Sequence, residues 1–211
     1  MDYKDLSGRA WLLLLFSALG EAGLLPVPKM RLHRVLYLSN CLAPVFESKA
    51  PVDRVVKYFR GPFYPDAQWD IDRLMAGNLL ILTEIQYGLV DERGSWIDAR
   101  YDLAADGKRV THDLLSLPSL RRIYGFLVEL ANAFSSLADD RLDNTALKDV
   151  NYTAPAKARG ALISFDSPQV NYSVQTAELF RHLAPVTPIA NRREQLFLYV
   201  RYLDRRNLVA G

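Results

Sequence analysis

The chain has 211 residues, of which 50% are apolar and 24% charged, and its formal net charge is +2. This length accommodates one large domain or a compact domain with an extension, and the composition excludes a disordered or fibrous chain. So small a net charge gives no global attraction to nucleic acid, which leaves local patches to be judged segment by segment.

Cys41 is the only cysteine, which excludes an intrachain disulfide and a thiolate zinc cluster and predicts a reducing, cytoplasmic setting. The run Trp11 to Phe16 sits within about ten apolar residues, half of the roughly 20 needed to cross a bilayer. It predicts a buried helix over about 9–22 rather than an anchor or a signal segment, with Gly23 supplying the left-handed position that ends it. A second helix starts after Pro28, where a missing N–H costs nothing. It carries Leu32, Val35, Leu36 and Ser39 at i, i+3, i+4, i+7 and stops before Pro44. Residues 54–60 are β-branched and aromatic, so a short strand is predicted.

The stretch RGPFYPDAQW, residues 60–69, then turns a corner into a helix over 65–76 that Gly77-Asn78 ends. Residues 79–87 and 95–103 read as a hairpin joined through Asp91-Glu92-Arg93-Gly94. Helix, strand, helix, strand, loop, strand is the order of a winged helix-turn-helix, closing near residue 110. Helices follow over 117–138, 141–151, 173–183 and 190–207. The irregular stretch 152–170 holds Pro155, Gly160 and Pro168 around a short strand, Ala161 to Phe165. The expected class is α+β, with a winged-helix-like unit over 1–110 and a mostly helical region over 111–211.

The search for chemistry returns little. His33, His112 and His182 have no metal-ligand spacing, and His33, on the charged flank of the second helix, reads as a surface or rim residue. Phosphate-binding glycine motifs and nucleophile elbows are absent. The carboxylate pairs Asp70/Asp72, Asp91/Glu92 and Asp139/Asp140 could hide, with Lys108, a metal-dependent nuclease site. Solvated caps and loops explain all three pairs. The expectation is a non-enzyme with no cofactor, no metal and no small-molecule substrate.

In a winged helix the helix after the corner would enter a major groove, where phosphate attraction demands Lys and Arg. Residues 65–77 offer Asp66, Asp70 and Asp72 against Arg73 alone, so this surface repels DNA. The last helix is different. Arg192, Arg193, Arg201, Arg205 and Arg206 outnumber Glu194 and Asp204, which suits contact with an acidic surface or nucleic acid, while Leu196, Val200 and Leu203 form a stripe able to dock into a partner. Packing of that stripe on the protein's own core explains it equally well.

Three stretches carry a family likeness: LHRVLYL at 32–38, KYFRGPFYP at 57–65 and LMAGNLL at 74–80. They resemble the small middle-component subunits of bacterial ABC three-component systems, including Lamassu-type antiphage systems. As a second choice they resemble Panacea-type antitoxin and adaptor domains, which lack an equivalent of the helical half. The first resemblance implies a non-catalytic cytoplasmic subunit that links an SMC-like ATPase to an effector, commonly a nuclease, within a complex that senses foreign DNA. The second implies a toxin-neutralising module, and a DNA-binding regulator using the C-terminal arginines is the remaining alternative. On any of these readings the corner is a rigid aromatic bracket. Pro62, Phe63, Tyr64 and Trp69 are the candidate partner contacts, with Phe63 and Trp69 expected mostly in the core and Tyr64 more exposed.

Overall fold

The computed structural model describes residues 3–51, 55–58, 60–91, 94–137, 139–153, 160–163, 171–183 and 191–209. Helix α1, Tyr3–Glu21, carries the leucine-rich run and ends in a Schellman motif. Gly23 takes φ 71°, its N–H reaches the Gly20 carbonyl at 3.1 Å and the Leu24 N–H reaches Leu19 at 2.9 Å, so the last carbonyls are satisfied. Strand β1 is only Val27–Pro28, and helix α2, Lys29–Leu42, follows it directly. A 3₁₀ turn, Ala43–Phe46, leads to strands β2, Val55–Tyr58, and β3, Gly61–Phe63, and then to α3, Pro65–Ala76. Helix α3 ends on a second Schellman motif in which Asn78, at φ 55°, takes the left-handed position. The Asn78 N–H bonds Met75 at 2.9 Å and the Leu79 N–H bonds Leu74 at 2.8 Å.

Strands β4, Leu80–Asp91, and β5, Gly94–Leu103, form a long antiparallel hairpin, and β1 joins its far side, giving the order β1-β5-β4. The order β1-β5-β4 is that of a winged helix, but its first strand is β1 rather than the strand expected over 54–60, which instead gives β2 of a separate β2–β3 hairpin between α2 and α3. Strand β1 gives no sequence signal because two residues, one of them proline, become a strand only by pairing Val27 with Tyr101. Being at an edge, Pro28 sacrifices no ladder bond. The wing has its own logic. Apolar residues alternate at 80 and 82 and then at 85 and 87, out of phase by one, and the ladder absorbs the slip with a bulge between Leu82 and Glu84. Leu82 faces Tyr101 and Ile85 faces Ala99, so Leu80, Leu82, Ile85 and Tyr87 share the side of the sheet that begins in the core, while the exposed Ile81 lies on the other.

Six helices, a second 3₁₀ turn and one strand follow among the described residues: α4, Ala105–Leu114; α5, Pro118–Ser135; α6, Asp139–Thr145; the 3₁₀ turn Ala146–Lys148; α7, Val150–Thr153; β6, Leu162–Ile163; α8, Tyr172–Leu183; and α9, Arg192–Val209. Strand β6 pairs with β2, making a second sheet of order β3-β2-β6 from both halves of the sequence. The core is likewise shared. Leu12, Leu15 and Phe16 of α1, Leu32, Leu36 and Tyr37 of α2, Phe126, Leu130 and Phe134 of α5 and Leu196, Val200 and Leu203 of α9 belong to one buried cluster. The boundary drawn at 110 falls inside α4, and the segments on either side of it share a single core. No helix among the described residues is long and apolar enough to cross a membrane.

Candidate docking surface around the corner

Gly61, with φ 132°, opens the corner, and a Cβ there would come within 3.1 Å of the Arg34 Nε and 3.2 Å of Leu147. The Arg34 guanidinium clamps the turn by donating to the Arg60 carbonyl at 2.7 Å. It also reaches Asp143 of α6 at 3.4 Å, which Arg31 holds at 2.9 Å. Pro62 is buried, and Pro65 occupies the first turn of α3 after an extended Tyr64, as the residue before a proline prefers.

His33 sits behind the corner. It is fully buried, which corrects the surface placement expected from the sequence. Its Nδ1 accepts from the Tyr64 backbone N–H at 3.3 Å, so Nε2 carries the proton and donates to the Gln68 Oε1 at 3.1 Å. The Gln68 amide nitrogen then donates to Asp72 at 2.8 Å. The imidazole lies 4.6 Å from the Phe63 ring and is stacked on Tyr64 at 6.5 Å. Burial holds its pKa down to about 4, with the Lys29 charge adding to the effect and the Gln68 bond opposing it. The ring is neutral at physiological pH and acts as a structural pin between α2 and the start of α3.

The rings of the corner sort in the reverse of the expected order. Tyr64 is fully buried, Phe63 is half-buried and Trp69 is 65% exposed. The reason is the stripe of α3. Ala67, Ile71 and Leu74 face the core, at i, i+4, i+7, and Trp69 falls off that stripe beside the exposed Asp66, Asp72 and Arg73. Asp70 is engaged within the protein by Arg9 at 3.5 Å and Arg73 at 3.2 Å.

The wing offers a second exposed surface. Along its core-facing side Leu80 is buried, but Leu82, Ile85 and Tyr87 are 41%, 51% and 79% exposed, so the apolar row runs out of the core into solvent. The opposite side carries the Glu84–Arg100 ion pair at 2.9 Å. The tip residues Glu92 and Arg93, and Pro155, Phe165 and Pro168 of the irregular stretch, lie outside the described residues, as do the side chains of Asp91, Asp139, Asp140 and His182.

Of its two expected roles, helix α9 takes packing on the protein's own core. Leu196, Val200 and Leu203 are buried with Tyr199 against the protein's own core, so the stripe is taken up internally and is not a free partner face. Arg192 pairs with Glu47 and Arg193 with Glu129 at 2.9 Å. Arg206 lies over the Tyr202 ring at 5.7 Å, leaving Arg201 and Arg205 exposed and without an ion pair among the described residues.

One polar centre gave no motif to the sequence. Asp149 is fully buried and accepts from the hydroxyls of Tyr37 and Tyr199, each at 2.6 Å, and of Ser173 at 2.7 Å. It also caps α7 through the N–H groups of Asn151 at 2.9 Å and Tyr152 at 3.3 Å. Asn151 continues the network to Asn171 and Ser173, and Asn171 to the Cys41 carbonyl. Burial pushes the Tyr37, Tyr199 and Cys41 pKa values well above their ordinary range, with the Asp149 charge adding to the effect, so these groups stay protonated. Closed off from solvent and satisfied, this centre ties helices together. No family model matches the chain, and neither does any curated protein.

Proposed function

We propose that this chain is a non-catalytic bridging subunit of a bacterial antiphage defence complex, linking an SMC-like ATPase to an effector nuclease. The observation that carries the protein-binding part of this reading is the surface of α3. The helix in the DNA-reading position of a winged helix presents Asp66, Trp69 and Asp72 to solvent, a surface that repels phosphate and has the aromatic payload of a protein contact. The apolar row of the wing adds a second surface of the kind that marks protein contacts. The choice of partners rests on the resemblance carried by residues 32–38, 57–65 and 74–80. Co-expression with the products of the neighbouring genes tests it. A stable complex containing an ATPase and an effector is expected. A chain that elutes alone, beside genes encoding neither, overturns the reading.

A DNA-binding regulator acting through α9 is the second reading, favoured by Arg201 and Arg205, which are exposed and have no ion pair among the described residues. It requires DNA binding that weakens steeply with salt and is lost in Arg201→Glu/Arg205→Glu. No binding at low salt eliminates it.

A further inference from the structure

Helix α3 holds an exposed indole between two carboxylates that have no ion pair among the described residues. Asp66 and Asp72 lie three residues before and after Trp69, one on each flank of the ring. The other charges of the helix are already spent. Asp70 is held by Arg9 at 3.5 Å and Arg73 at 3.2 Å, and that contact draws Arg73, four residues beyond Trp69, toward Asp70. Asp72 accepts a neutral amide, from Gln68 at 2.8 Å, and neither it nor the exposed Asp66 has an ion pair among the described residues. Trp69 is 65% exposed, and no cation lies over its ring among the described residues.

We propose that this face is the docking site for a basic segment of a protein partner, with an arginine or lysine side chain laid on the Trp69 ring and paired to Asp66 or Asp72. The charge pattern selects the occupant. An indole face attracts a cation through its quadrupole, more strongly than any other side-chain ring, and a guanidinium that stacks on it can still give its N–H fork to a carboxylate on either flank. Nucleic acid and acidic protein surfaces are repelled by the same pair. The site rests on the subunit reading only for the partner being a protein, and it deepens that reading by naming the chemistry the partner must bring. Behind the ring, the His33–Gln68–Asp72 chain fixes one flanking carboxylate in place, so little ordering remains to be done on binding.

The test uses the full chain and a short arginine-rich peptide, with a matched peptide carrying glutamate in place of arginine, in calorimetric titrations at low and physiological salt. Binding of the arginine peptide alone is expected. It should weaken about tenfold or more in Trp69→Ala and in Asp66→Asn/Asp72→Asn, with melting unchanged. In Asp113→Asn/Glu178→Gln, which removes the same charge from exposed positions elsewhere, affinity should stay as in the parent. No binding, or equal weakening in both charge-removed variants, overturns the proposal. The two readings fail separately. A subunit complex that survives Trp69→Ala sinks the docking site and leaves the bridging role standing. Trp69-dependent binding of the basic peptide by a chain that forms no complex with its neighbours does the reverse.

Discussion

In an unfolded chain the His33 imidazole titrates near pH 6.5, whereas in the folded protein burial against Phe63 and Tyr64 holds it to about 4. Between those values the unfolded chain binds a proton that the native state refuses, so stability rises with pH across the window and falls as pH drops from 6.5 toward 4. The slope approaches about 1.4 kcal/mol per pH unit, and the whole effect is on the order of 3 kcal/mol. Urea unfolding of the parent and of His33→Gln at pH 7.5, 5.5 and 4.5 reads it directly. The parent should lose its advantage over the variant progressively below pH 6.5, and a difference independent of pH would mean the ring is not held neutral. Sequence reasoning placed His33 outside because a helix with charged neighbours suggests a solvated flank. In fact every residue of Leu32 to Leu42 except the half-buried Arg34 is buried, and the corner folding back over α2 covers the His33 side. Trp69 was more legible than its assignment. Ala67, Ile71 and Leu74 already define the inward stripe, and counting from them puts residue 69 outside. Tyr64 carries the opposite lesson, since the proline after it fixes its backbone and the core claims its ring.

Elements with a strong period or a clear punctuation mark were readable within a few residues. Helix α3 runs over the expected 65–76, α2 lies between its prolines, and the long hairpin has the expected partners. Elements that exist only through pairing were not, as β1, β3 and the bulge at residue 83 show. Close approach between elements is equally silent in sequence, and Gly107 is the clearest instance. It sits in the first turn of α4 against the turn joining α3 to β4, and a Cβ there would lie 2.1 Å from the Leu79 carbonyl oxygen and 2.8 Å from Leu103. The same carbonyl accepts from the Ala104 N–H at 3.1 Å, so it cannot retreat without loosening the strand-to-helix joint. Gly107→Ala should therefore cost about 2–3 kcal/mol, the overpacking range. Gly125→Ala, in the middle of α5 with nothing within 4 Å of the new methyl, should stabilise by about 0.5–1 kcal/mol through helix propensity alone. Thermal melts of the pair check it, and similar shifts in both would show that α4 does not approach the turn this closely.

At the scale of the molecule, the winged-helix part and the helical part are locked by a polar centre inside their common core. Asp149 stands where the 3₁₀ turn meets α7 and binds Tyr37 from α2, Ser173 before the middle of α8 and Tyr199 from α9. The sequence shows no trace of this, because Tyr37, Asp149, Ser173 and Tyr199 are far apart along the chain and no spacing links them. A buried carboxylate with five donors is secure only while all five point at it. Removing it takes the Asp149 acceptor from three buried hydroxyls, each such loss costing about 1–3 kcal/mol, and also strips the cap from α7. Asp149→Ala should then lose about 4–6 kcal/mol, enough to threaten a chain of ordinary stability. Tyr199→Phe removes one donor while the carboxylate keeps four, and should cost about 1–2 kcal/mol. Because the centre joins both halves, the loss in either variant should appear as one earlier transition, with far-ultraviolet and near-ultraviolet dichroism unfolding together. If Asp149→Ala instead melted in two steps, the N-terminal part surviving the helical part, the two regions would be separable domains and residue 110 a true boundary. With one core running from Leu12 to Leu203, the single transition is the expected result.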